Sequence, residues 1–343
     1  MTTMTPAARP DLLNALAADA TRLERDGVTR ADVARLAGAG LLGIYGPPEL
    51  GGLPDAAQRE VAEQLAGASP DAWFVWFQHG PVVRMLGRSD NTALAELHLG
   101  PLCRGDELGG VAYSHLRTPA PSVFAERVSG GWSLRGSQPW CTGWPLVDVA
   151  LVGALDAGGE QVVFALVPGG DRPALHSTGE LTLAAMGGTR THALAFEDLF
   201  VPDEAVVAVH DRGTFAAYDT ALNANVQPST YGVALAALDL LDARQPQVAQ
   251  ALRDRLLPLR TRAYRLLDEV PAPEQLDERL EVRAASLLLA VECCTALLAA
   301  RGGQGMDLAD PAQRLLRAAA FQLVHSQAAH VRAATLSALV RCA

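Results

Sequence analysis

The hydrophobic periodicity of this 343-residue chain changes twice, and these changes limit the folds that it can adopt. From about residue 11 to 107, apolar residues recur at three- and four-residue spacing, which is typical of amphipathic helices. From about residue 109 to 210, short runs of β-branched and aromatic residues alternate with Gly, Pro and Asp, which is typical of antiparallel strands and tight turns. From about residue 218 onward the helical spacing returns. A strand interval of this length between helical intervals predicts a separate β-domain.

This order predicts an α+β multidomain fold in three parts, which are an N-terminal helical domain (residues 1–108), a middle antiparallel β-domain (109–210) and a C-terminal four-helix bundle (211–343). In the first part, Thr29 and Asp32 have the spacing of a helix cap. In the last part, the segment 284–300 carries a single charge, that of Glu292. A helix that is apolar on most faces is expected inside a bundle or at an oligomer interface.

Charge and composition exclude several classes of protein. The net charge is −10, and no stretch gathers basic residues without acidic neighbours, so a nucleic-acid surface is not expected. We find no apolar run of the roughly 18 residues that a membrane span needs, and no basic-then-apolar secretory signal at the N-terminus. The five cysteines lack the spacing of a metal site or a disulfide framework. These features predict a metal-free protein of a reducing, bacterial-type cytoplasm.

Four segments carry recognisable motifs in a fixed order, and they are LAGAGLLGIYGPPELGGL (36–53), GGWSLRGSQPWCTGWPLVDVALVGAL (130–155), MGGTRTHALAFEDLFVPDEAVV (186–207) and GGQGMDLADPAQRLLRAAAF (302–321). They contain a Pro-Glu-x-x-Gly-Gly loop, a hairpin with Trp-x-Thr, a strand ending in Phe-Glu-Asp, and a Gly-Gly-x-Gly turn before a Pro-x-x-x-x-x-Arg helix. In this order they resemble the acyl-CoA dehydrogenase superfamily. The resemblance implies that family's fold and a flavin-dependent oxidoreductase that acts on an acyl-CoA or similar acyl substrate, although fold alone does not fix function.

The resemblance also implies FAD as the cofactor, with FMN as the alternative. The residues that it places at the flavin are Tyr113, Ser114, Trp140, Cys141, Thr142, Gly302 and Gly303. Thr142 would lie near the reactive N5 edge of the ring, whereas the Gly302 turn would meet the flavin of a neighbouring subunit. Each motif also has a purely structural interpretation: a core Trp with an ordinary strand Thr, and a glycine pair that ends a helix.

The chain departs from the family pattern at the contacts to the flavin pyrophosphate. The segment 112–124 lacks the family's glycine, the Arg-x-x-Phe-Gly segment is missing, and Ala299 stands where the family has Gln. Arg117 is a remaining candidate for pairing with a phosphate. We therefore expect flavin to bind more weakly than in typical members, or to be lost.

The family's catalytic carboxylate is also missing. Dehydrogenation needs a positioned carboxylate to remove the substrate α-proton while a hydride passes to the flavin. A gapless alignment from Gly302 places Ser326 at the usual Glu, and the alternative position falls near Leu222 and Asn223. The neighbouring His325 is the candidate catalytic residue because an unperturbed imidazole titrates near neutrality. A lone histidine in an apolar helix is more often structural.

Three functions therefore stay open. The first is an acyl-CoA dehydrogenase-like oxidoreductase with a base from elsewhere, and the second is a flavin monooxygenase of the same fold with His325, Ser326 or His115 as proton donor. The third is a non-catalytic subunit of a hetero-oligomer. A homodimer or homotetramer through the C-terminal helices is expected, because the segment 284–300 would otherwise expose a large apolar patch.

Overall fold

The computed structural model describes residues 10–272 and 274–341, and its first part is helical. The helices there are α1 (Pro10–Asp26), α2 (Arg30–Gly38), α3 (Asp55–Ala68), α4 (Pro70–Leu86) and α5 (Thr92–Arg104). Thr29 and Asp32 form the predicted capping box: the Thr29 side chain accepts from the Asp32 N–H, and the Asp32 carboxylate accepts from the Thr29 N–H. Local sequence signals thus set the start of α2.

The middle part forms one eight-stranded sheet. Its strands are β1 (Gly109–Ala112), β2 (Val123–Val128), β3 (Gly131–Cys141), β4 (Val149–Asp156), β5 (Gln161–Pro168), β6 (Leu175–Glu180), β7 (His192–Pro202) and β8 (Val206–Asp211). The order is β6-β7-β3-β2-β4-β5-β8, and β1 pairs with β4. The pairings are antiparallel as predicted, except that β1 and β2 both run parallel to β4. These two strands follow one another along the same edge of β4, so both take the same direction.

The last part is again helical, with α6 (Arg212–Asn223), α7 (Pro228–Asp242), α8 (Pro246–Asp268), α9 (Leu276–Arg301), α10 (Pro311–Gln322) and α11 (Ala329–Arg341). α7, α8 and α10 pack around α9 and form the predicted bundle, and α11 also packs against α9. The helical spacing of residues 311–340 continues without a break in the sequence, but the chain turns at residues 323–328. The Arg283 guanidinium donates to the His325 carbonyl at 2.9 Å, and Ser326 adopts a φ of +50°, so the helix cannot continue there.

The helices before and after the sheet share one hydrophobic core. Leu16 and Trp76 from the first part belong to the same buried cluster as Tyr231, Leu256 and Leu297 from the last part. A second cluster lies within the sheet. The predicted order of helical, strand-rich and helical regions is confirmed. The exact domain boundaries stay a prediction, because the two helical regions are not separate bodies.

The central helix α9 differs from two expectations. Together with the following turn, α9 forms the segment Leu276–Met306. By length and composition this segment is apolar enough to cross a bilayer, so the statement that the sequence has no such run was wrong. However, 56% of its most apolar window is buried inside the protein, as expected for the centre of a bundle. The segment 284–300 is largely covered by this packing. It therefore does not present the exposed patch from which we predicted an oligomer.

Candidate functional site

The end of β3 presents an exposed indole on an anchored backbone. Trp140 is 49% exposed, and its carbonyl accepts a hydrogen bond from Gln138 Nε2 at 2.7 Å. The same Gln138 nitrogen donates to Ser114 Oγ at 2.8 Å, which ties the strand end to the turn after β1. Among the described residues, the buried Gln138 Oε1 has no hydrogen-bond partner. The structure thus brings Trp140 and Ser114 into one neighbourhood, as the site prediction requires.

Thr142 begins a chain of three hydroxyl groups. Its Oγ1 lies 3.2 Å from that of Thr191, which lies 2.9 Å from that of Thr189. Thr189 donates to the Met186 carbonyl at 2.7 Å. A hydroxyl has one proton to donate and a carbonyl has none, so Thr191 must donate to Thr189 and Thr142 must donate to Thr191. Thr142 is left able only to accept a further hydrogen bond.

Other residues predicted at the flavin differ in what they offer. Tyr113 is half-buried edge-on to Phe164, with ring centroids 5.5 Å apart, and burial raises the pKa of its hydroxyl. The Cys141 side chain is fully buried, and burial raises its pKa to about 12, so a contact from this residue would come from its backbone. Gly302 and Gly303 are exposed where α9 ends, and Gly302 has a φ of +60° that favours glycine.

His325 lies in an aromatic cage rather than on a helix. Four ring centroids lie within 5.9 Å of its imidazole, those of Trp73, Phe74, Phe77 and Phe321. Burial, reinforced by the positive charges of Arg283 and Arg117, lowers the pKa of His325 to about 3. Its Nε2 lies 3.4 Å from Ser326 Oγ, and its buried Nδ1 has no partner among the described residues. The imidazole is therefore neutral at physiological pH and is a weak base.

A buried polar cluster adjoins this cage. Arg117 donates to both carboxylate oxygens of Asp219 at 2.9–3.1 Å, so the cation expected to pair with a phosphate already has a partner. Arg283 donates to the carbonyls of Asn223 and Asn225 as well as to that of His325. Asp219 lies one helical turn before Asn223, next to the alternative base position, and sequence comparison missed it. The four-residue spacing places Asp219 on the same face of α6 as Asn223, and this spacing is visible in the sequence.

His115, a candidate proton donor, has both ring nitrogens occupied by backbone groups of the fold. It is buried, its Nε2 lies 2.8 Å from the Gly153 carbonyl, and its Nδ1 accepts from the Ser122 N–H at 3.1 Å. The first contact requires a proton on Nε2, and the second requires a free lone pair on Nδ1. His115 is therefore held in its neutral form, and burial lowers its pKa.

Comparison with known proteins agrees with this architecture. No family model matches the chain. It is 28% identical over 186 residues to a mitochondrial 2-methylacyl-CoA dehydrogenase of Solanum tuberosum, covering 51% of this chain and 45% of the relative. It is 30% identical over 220 residues to the amino sugar nitrososynthase RubN8 of Streptomyces rubradiris, covering 59% of this chain and 51% of the relative. The matched part is thus about half the length of these relatives.

Solved structures match over nearly the whole chain. Butyryl-CoA dehydrogenase from Megasphaera elsdenii superposes with a TM-score of 0.79 at 17% identity, covering 99% of this chain and 100% of the other. KijD3, in complex with FMN and a dTDP-linked amino sugar, superposes with a TM-score of 0.81 at 21% identity, covering 98% and 92%. The helices, sheet and C-terminal bundle thus define a protein with the acyl-CoA dehydrogenase fold. The chain is thus similar in sequence, over about half its length, and in fold, over nearly all of it, to proteins of the acyl-CoA dehydrogenase superfamily.

Proposed function

We propose that this protein is a flavin-dependent monooxygenase with the acyl-CoA dehydrogenase fold. When bound in its reduced form, the flavin supplies the activation of O₂ and the transfer of one oxygen atom to the substrate. The chain would contribute the residues that bind and orient the ring, with the Trp140 indole and the Thr142 hydroxyl as the candidates. A dehydrogenase begins its cycle with oxidised flavin, whereas a monooxygenase must bind the reduced form, and this difference separates the two functions.

The orientation of the threonine hydroxyls carries this proposal. By the family resemblance Thr142 would lie near the N5 edge of the ring, and its own proton is committed to Thr191. Thr142 would therefore accept a hydrogen bond there. Reduced flavin carries an N–H at N5, whereas oxidised flavin carries only a lone pair, so this arrangement favours the reduced form. A hydroxyl that accepts from N–H satisfies both groups, while two facing acceptors leave both unsatisfied.

The residues at the base position support the same proposal. Ser326 replaces the carboxylate, and the neighbouring His325 has a pKa of about 3. A proton acceptor this weak contributes little to removing an α-proton, because efficiency falls as the pKa departs from the working pH. Oxygen transfer to a nucleophilic substrate atom does not begin with such a proton abstraction.

The described residues fit the ring half of a flavin better than its pyrophosphate half. Trp140 offers an exposed aromatic face, and Thr142 offers an acceptor near it in sequence. Arg117, the candidate for pairing with a phosphate, is paired with Asp219. We therefore propose FMN, or FAD held weakly, as the cofactor. The likeness to RubN8 and KijD3 supports a small amine-bearing substrate such as an amino sugar, in place of a long acyl chain.

Dehydrogenation remains the second candidate, because one buried carboxylate lies beside the cage. Asp219 is 8% exposed on α6, close to the alternative base position of the family. Its oxygens are both engaged by Arg117, so it would have to leave that pair to reach a substrate.

We also retain a homo-oligomer as a proposal, now supported by an exposed apolar face of α11 formed by Leu336, Leu339 and Val340.

Changing Thr191 tests the preference for reduced flavin. We expect the wild type to bind reduced flavin about two- to tenfold more tightly than oxidised flavin, since one hydrogen bond contributes roughly 0.5–1.5 kcal/mol. Thr191→Val frees the Thr142 proton, so the preference should vanish or reverse. Anaerobic fluorescence titrations with each form give the two dissociation constants. Thr178→Val, at an exposed threonine outside the chain of hydroxyls, is the matched control and should keep the preference. Equal affinities in the wild type would contradict the proposal.

Replacing Trp140 tests whether its indole contacts the ring. Trp140→Ala is expected to weaken flavin binding about two- to tenfold, because aromatic pairs contribute roughly 0.5–1.5 kcal/mol beyond the area they bury. Trp132→Ala, on the same strand beneath the Arg127 guanidinium, should leave the affinity unchanged. Flavin retained after dialysis is measured in parallel for the wild type, and we expect substoichiometric retention. Full retention by the wild type would show that pyrophosphate contacts exist elsewhere.

A further inference from the structure

A second group of reactive side chains lies on the outer part of the sheet, where β6 meets β7. Ser177 Oγ lies 2.7 Å from His192 Nδ1, and His192 Nε2 lies 3.6 Å from Glu180 Oε2. Nε2 is buried and has no hydrogen-bond partner within 3.5 Å among the described residues. The three residues therefore stand in the order hydroxyl, imidazole, carboxylate. In this order a neutral histidine with its proton on Nε2 faces the carboxylate and offers a free lone pair to the serine.

The local backbone aims Ser177 at this histidine. The pairing of β6 with β7 shifts register between Ser177 and Gly179, and Gly179 has a φ of +139°. Such a bulge redirects side chains from the regular alternation of a strand. The Gly179 N–H donates to Ser177 Oγ at 3.0 Å, and the Ser177 N–H donates to Asp171 at 3.0 Å. Both contacts fix the position of the serine, so its hydroxyl proton is directed to the imidazole.

These residues line an open groove of about 520 Å³. Its walls include Trp144, Asp171 and Thr178 besides the three reactive residues. The Trp144 indole donates to Asp171 at 2.7 Å, which holds that wall rigid. Ser177 and His192 are both partly exposed, so a small molecule in the groove can reach the serine oxygen. The lining of the groove includes none of the aromatic residues around His325 and none of the three threonines whose hydroxyl groups carry the flavin proposal.

We propose that Ser177, His192 and Glu180 form a nucleophilic site that accepts an acyl group from small activated esters. Ser177 Oγ attacks the ester carbonyl carbon, and its proton passes to His192 Nδ1. The C–O bond to the leaving alcohol then breaks, and the alcohol takes that proton from His192. Glu180, whose Oε2 also accepts a hydrogen bond from Arg190 at 3.2 Å, stabilises the transient positive charge of the imidazole across 3.6 Å. Water, deprotonated by the same histidine, later releases the acid and regenerates the serine.

The donor geometry limits the rate of this reaction. The Gly179 N–H points at the serine oxygen itself rather than toward the place where a carbonyl oxygen would lie. Stabilisation of the developing oxyanion normally contributes roughly 10²–10³ in rate. We therefore expect acylation that is measurable with reactive esters and slow release of the acyl group, so that the acyl-enzyme accumulates.

The test uses the full-length protein and a fluorophosphonate probe, which reacts with activated serines. Peptide mass spectrometry should locate the adduct on Ser177, and labelling should be lost in Ser177→Ala. His192→Gln should slow labelling about a hundredfold, within the roughly 10²–10⁴ that a positioned base contributes. Glu180→Gln should slow it less, and Ser129→Ala, at an exposed serine in the turn between β2 and β3 and outside the groove, should leave it unchanged. Circular dichroism confirms that each variant is folded.

Two results would overturn the assignment. The first is an absence of adduct on Ser177 at probe concentrations that label a known serine esterase. The second is labelling at equal rates in wild type and folded His192→Gln, which would mean that Ser177 reacts only as an exposed hydroxyl. p-Nitrophenyl acetate provides an independent measurement, with an initial burst of p-nitrophenol equal to the protein concentration as the expected result. No flavin is added in these assays, so failure here and failure of the monooxygenase proposal are distinguishable.

Discussion

Acyl-CoA dehydrogenation is expected to stay at background for every acyl chain length, even with flavin in excess. The α-proton of a thioester is weakly acidic, so a base must lie within hydrogen-bond reach of it, roughly 2.6–3.2 Å. A serine hydroxyl at position 326 is a poor base, and burial holds the pKa of His325 at about 3. The missing contribution of a positioned base is roughly 10²–10⁴ in rate. The measurement is reduction of an artificial electron acceptor with a panel of acyl-CoA substrates.

Three variants separate the possible sources of any activity. Substantial wild-type turnover that disappears in Asp219→Asn would make the buried carboxylate of α6 the base. Turnover that disappears in His325→Ala would give that role to the histidine. Activity that appears only in Ser326→Glu would mean that the fold kept its substrate pocket and lost its base. The left-handed backbone at Ser326 makes this last substitution strained, so its folding is checked by thermal unfolding.

The second large effect concerns Asp71, a carboxyl group 1% exposed near the start of α4. Burial, reinforced by the nearby Glu24, raises its pKa from 3.8 to about 7, although the Gly188 N–H donates to it at 2.8 Å. The folded protein thus keeps this proton at pH values where the unfolded chain has lost it. The stability from this group is fully present below about pH 4 and is lost as the pH rises through about 7. The full loss is about 4 kcal/mol, at 1.36 kcal/mol for each pKa unit.

Asp71→Asn removes this dependence and keeps an acceptor for the Gly188 N–H. We expect the difference in unfolding free energy between variant and wild type to shift by about 3 kcal/mol in favour of the variant between about pH 5 and about pH 8, because about two pKa units of the full loss fall in this range. Urea unfolding at both pH values measures it. Buried histidines such as His79 act on the wild type and the variant alike, so they cancel in this difference. Asp26→Asn is the control: Asp26 is exposed at the end of α1, where Arg25 holds the pKa of its carboxylate below the usual range, so its difference should not change between these pH values.

Local patterns were sufficient for the order of elements but not for contacts between distant segments. The capping box of Thr29 and the switch between helical and strand spacing depend on neighbouring residues, so the sequence reveals them. The turn between α10 and α11 depends on Arg283, whose guanidinium donates to the carbonyl of His325, 42 residues later in the chain. The parallel pairing of β4 with β1 and β2 is likewise a property of the assembled sheet.

In the candidate site, too, local motifs locate the residues and contacts between distant segments determine their chemistry. The family motif located Trp140 and Thr142, but the direction of the Thr142 hydroxyl follows from Thr191, 49 residues later. The ion pair that occupies Arg117 joins it to Asp219 across 102 residues. His325 was a candidate base because an ordinary imidazole titrates near neutrality. Burial in the aromatic cage lowers its pKa to about 3, so it is a weak base. Tertiary contacts therefore decided the chemistry of each residue that the motifs had located.

The core shared by the two helical regions also has a consequence for synthesis on the ribosome. Trp76 and its neighbours leave the ribosome early, but their packing partners extend to Ala319. At roughly 5–20 residues per second, the chain between α5 and Ala319 takes about 10–40 s to make. During that interval the apolar faces of the first helices have no partner from the last ones. A nascent chain arrested before α7 should therefore bind chaperones that recognise exposed apolar surface, and release from them should follow completion of α10.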